Sequence, residues 1–146
     1  MTNCFQHIVL LAEDNADDLI FIQRAIRKAG VSIFLQHVEN GEEAVSYLLG
    51  EGFYSDRERY PFPALIVTNM KMPRMNGLEL LTWIKQQPTL KHLPVIVMSS
   101  SENPDEMSQV AALDGSSYFV KTSSLGALTE VVKHMMSFLP PLNQEP

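Results

Sequence analysis

The sequence predicts an α/β domain: a doubly wound parallel sheet of five strands with five helices. Three observations predict it. Five short apolar runs recur along the chain, each dense in branched or aromatic residues, as expected of strands buried on both faces of a parallel sheet. Amphipathic stretches with helical spacing separate them, and strand–helix units in series wind right-handedly. At 146 residues, 45% of them hydrophobic, the chain is long enough to bury one core without a disulfide or metal staple.

The first run is Ile8-Val9-Leu10-Leu11. Leu19, Ile22, Ile26 and Ala29 then repeat at helical spacing, and Gly30 supplies a stop. Ile33-Phe34-Leu35 is the second run, followed by a short face of Ala44, Tyr47 and Leu48. A long connection, Gly50 to Pro63, mixes aromatics with charges, and its Arg57 and Arg59 read as a solvated loop face. Ala64-Leu65-Ile66-Val67 is the third run. Leu78, Leu81 and Ile84 form the next helix, entered at Gly77 and closed before Pro88. Val95-Ile96-Val97-Met98 is the fourth run, and Met107, Val110 and Leu113 form a helix ended by Asp114-Gly115. Tyr118-Phe119-Val120 is the fifth run. Leu125, Leu128, Val132, Met135 and Leu139 form the last helix, stopped by Pro140-Pro141. The domain is expected over residues 1–139, with 140–146 as a short tail that leaves no length for an output domain.

Charge narrows the function classes. Eleven basic residues face 17 acidic ones, a net charge of -6. A chain this acidic, with no basic block, predicts no nucleic-acid partner and no anionic membrane surface. No stretch approaches the roughly 18–20 apolar residues of a membrane span. The N-terminus lacks the basic start of a signal peptide, and the single cysteine, Cys4, forms no intrachain disulfide. A cytoplasmic location is the expectation.

In a doubly wound sheet the working crevice lies beyond the carboxyl ends of the strands. Glu13-Asp14-Asn15 follow the first run, Asn69-Met70-Lys71-Met72-Pro73 the third, Ser99-Ser100-Ser101 the fourth, and Lys121 the fifth. Convergence would bring two carboxylates, an amide, a hydroxyl and an ammonium into one pocket. Adjacent carboxylates suit a hard cation such as Mg²⁺, although Glu13-Asp14 also read as a helix start. Ser100 and Ser101 read as satisfying local backbone. Lys121 reads either as a solvated strand end or as a point charge neutralising carboxylates. Tyr118, on pattern alone, reads as core. His7, His37, His92 and His134 lack ligand spacing, and Met70, Met72, Met75, Met135 and Met136 read as core or loop filler. There is no glycine-rich phosphate loop and no nucleophile elbow.

These residues closely resemble the receiver domain of two-component response regulators, over roughly His7 to Leu139. The resemblance rests on Glu13-Asp14, the turn Met72-Pro73-Arg74-Met75-Asn76-Gly77-Leu78-Glu79, Ser99, Tyr118 and Lys121, all in order at strand ends. The long Gly50–Pro63 connection and the segment Glu79 to Pro88 look most like single-domain receivers that work beside bacterial phytochromes. The resemblance implies a flavodoxin-like receiver fold and a signalling protein in a phosphorelay rather than an enzyme. In that family an Asp four residues before the turn's Pro accepts a phosphoryl group from a kinase histidine. Here that residue is Asn69, and an amide oxygen is a poor nucleophile, so phosphorylation at the usual position is not expected. The family's Mg²⁺ site would fall on Glu13, Asp14, Asn69 and the Lys71 backbone carbonyl, weakened by the loss of one carboxylate. Ser99 and Tyr118 would form the switch pair, with Lys121 beside them. Thr122 replaces the family's usual Pro, so a trans link is expected there.

The expected partners are a sensor histidine kinase or a downstream signalling protein, met through protein–protein contact. A homodimer through the last two strand–helix units, with Met135, Met136 and Leu139 on its face, is a further expectation, although a helix core explains the same residues as well. Two alternatives stand beside this reading. The chain takes phosphate on another residue such as Asp14, or it is a flavodoxin-like cofactor-binding protein.

Overall fold

The computed structural model of the protein describes residues 7–113, 116–121 and 125–139. Cys4, the Asp114-Gly115 stop, Thr122 and the 140–146 tail lie outside the described residues. In chain order the elements are β1 (His7–Ala12), α1 (Ala16–Ala29), β2 (Ile33–Val38), α2 (Gly41–Leu49), β3 (Leu65–Asn69), α3 (Gly77–Gln86), β4 (Val95–Ser99), α4 (Pro104–Ala111), β5 (Ser116–Val120) and α5 (Leu125–Ser137). The five strands form one parallel sheet in the order β2-β1-β3-β4-β5. This is the doubly wound, flavodoxin-like architecture that the sequence predicts.

Side chains alternate across a strand, and the inner strands supply two cores. Val9 and Leu11, Leu65 and Val67, and Ile96 and Met98 pack with Ile22, Ala25 and Ile26 of α1 and with Leu128, Val131, Val132 and Met135 of α5. Leu10, Ile66, Val95 and Val97 point the other way. They pack with Ala44, Tyr47 and Leu48 of α2, Leu80, Leu81 and Ile84 of α3, and Val110 of α4. Each fully buried aliphatic chain contributes about 1.5–3 kcal/mol of transfer free energy.

Burial departs from the sequence reading in several places. The edge strands are only partly covered, because each has a neighbour on one side alone: β5 is half-buried throughout, and Phe34 of β2 is exposed. Ala29 is exposed and Ala25 takes its place on the inner face of α1. Leu80 is fully buried on α3 whereas Leu78 is half-buried. Met107 of α4 is 41% exposed. Met135 and Leu139 belong to the core with Val9 and Leu11, which removes them from any dimer face. Arg57 is no solvated side chain. Its guanidinium donates to the carbonyls of Tyr47 at 2.8 Å, Leu48 at 2.9 Å and Tyr60 at 3.1 Å. It thereby satisfies the Leu48 carbonyl at the C-terminus of α2, adds a second donor to the Tyr47 carbonyl beside the Gly50 N–H, and faces the negative end of the helix dipole. Around it the long connection closes on itself, with Tyr54 and Tyr60 edge-to-face at 5.1 Å and the Tyr47 hydroxyl donating to Pro61 O at 2.8 Å.

Polar caps end the helices that lead out of the strand ends. Asn15 accepts from the N–H groups of Asp17 and Asp18, so it caps α1, and neither Glu13 nor Asp14 does. Asn76 and Glu79 form a reciprocal capping box on α3. Gly77 donates to Met70 O at 2.8 Å, which presses the start of α3 against the end of β3.

A Cβ on Gly77 would collide with the Asn69 carbonyl oxygen and lie 3.0 Å from Met70 Cα. Gly77→Ala should therefore cost about 1–3 kcal/mol in urea denaturation. Burial pushes the Tyr47 phenol up to about 12 from an ordinary 10.0. The folded state thus holds the neutral phenol, so stability is full below pH 10 and falls as pH climbs from about 10 to 12. Tyr47→Phe should flatten that part of the alkaline unfolding curve.

Candidate functional site

Strand register decides which side chains meet. Ala12 pairs with Thr68, Asn69 with Met98, and Ser99 with Val120. The residues just beyond these positions therefore share one edge of the sheet. Backbone bonds hold that edge together: Glu13 N donates to Val38 O at 3.0 Å, Met70 N to Met98 O at 2.7 Å, and Lys121 N to Ser99 O at 2.6 Å. The edge carries a cleft of about 310 Å³, lined by Asp14, Asn15, Asp18, Asn69, Lys71, Ser99, Ser100 and Lys121.

Asn69 is buried, and its amide is the centre of the cleft floor. Nδ2 donates to Asp14 Oδ1 at 3.1 Å and to the Lys71 carbonyl oxygen at 2.8 Å. Both partners accept only, so chemistry settles which end of the amide faces them. The two N–H bonds lie between oxygens from the β1 and β3 ends, where a cation drawing on both would sit. As arranged, the residues do not fit a divalent ion, because the amide would have to turn and present Oδ1 instead.

Glu13 does not join Asp14 at the cleft. It is 2% exposed, and its carboxylate meets the Lys121 ammonium at 3.1 Å and the Asn15 N–H at 3.2 Å. Burial pushes this carboxyl above its ordinary 4.5, and Lys121 offsets only part of that. Lys121 also binds Asp18 Oδ2 at 2.5 Å. The ammonium is thus shared between β1 and the first turn of α1. His37 of β2 supports the same corner, with Nε2 donating to Glu13 O at 2.7 Å.

Ser99 and Tyr118 meet at the other end of the cleft. Ser99 Oγ donates to Glu106 Oε1 at 3.3 Å, and the Tyr118 hydroxyl lies 3.1 Å from the same oxygen. Tyr118 also donates to Ser101 O at 2.6 Å. Burial raises the Tyr118 phenol above its ordinary value; the Glu106 carboxylate adds to this and the Ser99 hydroxyl opposes it. Ser101 does satisfy local backbone: its Oγ accepts from Asn103 N at 3.0 Å.

The structure brings Asp14, Asn69, the Lys71 carbonyl, Ser99 and Lys121 to one cleft, with Glu13 behind Lys121 and Tyr118 behind Ser99. Sequence reading missed Asp18 and Glu106. Asp18 lies in the first turn of α1, where in sequence it reads as an acid complementing the helix dipole. Glu106 looks in sequence like any acid complementing the dipole at a helix N-terminus, and nothing local marks it as reaching β4 and β5.

Comparison with known proteins bears on the fold and the family. The family model for the response regulator receiver domain matches residues 9–133. Response regulator Rcp1 of Synechocystis sp. is 31% identical over 131 residues, spanning 90% of this chain and 87% of the relative. The Mn(2+)-bound form of Rcp1 superposes with a TM-score of 0.78 at 30% identity, over 96% of this chain and 97% of that one. Response regulator RPA3017, from red light signalling of R. palustris, reaches a TM-score of 0.84 at 27% identity, over 96% of this chain and 98% of the other. The phosphorylated cyanobacterial phytochrome response regulator RcpA gives 0.80 at 33% identity, over 97% of both chains. Among the described residues no helix is long and apolar enough to cross a membrane.

Removing one partner of a buried ion pair leaves the other uncompensated. Lys121 is 17% exposed and Glu13 2%, so Lys121→Met should cost about 2–4 kcal/mol at neutral pH, toward the low side of a fully buried pair. Glu13→Gln in the same background should recover about half of that loss in thermal or urea unfolding, because it removes the stranded charge.

Proposed function

The chain belongs to the response regulator receiver domain family of two-component signalling, and from that premise we propose that it signals without taking phosphate at the usual position. In this reading Asn69 stands where the family's acceptor Asp stands. The observation that carries the reading is the Asn69 amide bridging Asp14 Oδ1 and the Lys71 carbonyl. A carboxylate oxygen there would have a free lone pair to attack phosphorus. The amide nitrogen has its lone pair delocalised into the carbonyl, and its two hydrogens are already given to fixed acceptors.

The same substitution removes one negative charge from the cleft. Mg²⁺ binding is then weak, with Asp14 and the Lys71 carbonyl as the oxygens that would hold the ion after the amide turns. No step of the signalling depends on that ion. Asn69 and its two acceptors join the β1 and β3 ends directly, by hydrogen bonds between neutral and charged groups of the chain.

The output is contact with another protein rather than turnover, so the chain is read as a non-enzyme. Its partner is a sensor histidine kinase or a downstream signalling protein. The likeness to RcpA and to RPA3017 of R. palustris supports a kinase of the phytochrome type. A second copy of this chain is an alternative partner. It would use a surface other than Met135 and Leu139, which are buried.

Incubation with acetyl phosphate and Mg²⁺, read by intact mass, should leave the protein unmodified. Asn69→Asp should gain one acid-labile phosphoryl group and bind Mg²⁺ more tightly, on the order of tenfold. Uptake by the unsubstituted chain would overturn the proposal, and peptide mapping would then show whether Asp14 is the acceptor.

A further inference from the structure

The carboxylate of Glu106 lies where β4, α4 and β5 meet. Its Oε1 accepts from Ser99 Oγ at 3.3 Å at the end of β4, and it lies 3.1 Å from the Tyr118 hydroxyl of β5, whose single proton is shared between this carboxylate and the Ser101 carbonyl. Ser101 closes the circuit. Its N–H donates to Ser99 Oγ at 3.1 Å, and its carbonyl accepts from Tyr118 at 2.6 Å. The result is a ring of hydrogen bonds that passes through Glu106, Ser99, Ser101 and Tyr118. Only two hydroxyl protons serve it, one from Ser99 and one from Tyr118, and they meet two acceptors, Glu106 Oε1 and Ser101 O.

Ser99 is 2% exposed, so its hydroxyl has no bulk water to turn to, and an unpaired buried donor is costly. A charged acceptor makes the stronger bond. The position of Glu106 is itself set by the chain: Asn103 caps α4 through Asp105 N at 2.8 Å, and Pro104 opens the helix. That start aims the first-turn acid at the strand ends.

We infer that Glu106 is a positioning residue, a resident carboxylate that holds Ser99 and Tyr118 together and sets the β4–α4 connection without a transferred phosphoryl group. The inference rests on the reading that Asn69 takes no phosphate. A receiver lacking that covalent anion has no transient charge to pull Ser99, and the Glu106 carboxylate supplies a permanent one from the chain. The face built by β4, α4 and β5 is then held in one arrangement, and a partner reads that arrangement directly.

The test uses the full chain labelled with 3-fluorotyrosine, the Tyr118 resonance being assigned through Tyr118→Phe. Glu106→Ala should shift or split that resonance and speed exchange of the Ser101 amide by about tenfold or more, since the amide's acceptor, Ser99 Oγ, is no longer held. Glu106→Gln keeps an acceptor oxygen and should hold both readings within about twofold of the parent. Far-UV circular dichroism checks that each variant is folded. A Glu106→Ala protein with parental Tyr118 resonance and Ser101 exchange overturns the inference. So does a Glu106→Gln protein that behaves like the alanine variant. Intact mass after acetyl phosphate treatment of the same samples keeps the two claims apart. Phosphate uptake overturns the reading of Asn69, while the alanine–glutamine comparison decides the role of Glu106.

Discussion

A parallel strand can pair with its neighbour only if the chain crosses back over the sheet between them. In this protein that constraint is met by α1 and α5 on one face and by α2, α3 and α4 on the other. The crossovers bury both faces of β1, β3 and β4 and leave every strand pointing the same way. The carboxyl ends of five strands therefore arrive at one edge, in a register that lines up Ala12 with Thr68, Asn69 with Met98 and Ser99 with Val120. Residues far apart in sequence become neighbours there for a geometric reason, before any polar interaction is counted. Gly77 tightens the arrangement by letting the start of α3 lie against the Asn69 carbonyl.

The polar groups delivered to that edge satisfy one another. The Asn69 amide spans Asp14 and the Lys71 carbonyl, Lys121 spans Glu13 and Asp18, and Glu106 faces both Ser99 and Tyr118. Among the described residues no buried side-chain nitrogen or oxygen lacks a partner. Each of the three groupings joins two or more different elements. The buried Asn69 amide, which offers donors to Asp14 Oδ1 and the Lys71 carbonyl, is the decisive chemical feature of the cleft floor. It makes the floor of the cleft a donor between two oxygens from different strand ends.

The edge strands show how coverage follows from topology. β2 and β5 each have one paired neighbour, and both retain exposed or half-buried side chains. Half-burial of β5 is also what lets Tyr118 reach the carbonyl of Ser101 and the carboxylate of Glu106 instead of disappearing into the core. On the same face of the sheet, the connection after α2 is pinned by the Arg57 guanidinium. Arg57 ties the last carbonyls of that helix to Tyr60, so a segment rich in charge and aromatic rings is packed against Tyr47.

The sequence by itself determined the elements and their order. Hydrophobic period, strand length and the Asn and Gly caps are local properties, and Gly30, Asn76-Gly77 and Pro104 act on the few residues beside them. It also put Glu13, Asp14, Asn69, Ser99 and Lys121 at strand ends, since in a parallel sheet position along the strand is position at the edge. The tertiary structure decided the partnerships. Glu13 turned inward to Lys121 while Asp14 stayed at the cleft, although the two are adjacent in the chain. Asp18 and Glu106 joined the site from helix first turns, where their sequence context is that of ordinary dipole-complementing acids. Arg57, which reads as solvated, became a helix cap. These contacts join atoms from different elements across a few ångströms. Which acid meets which base depends on side-chain direction after packing, and no spacing along the chain encodes that direction.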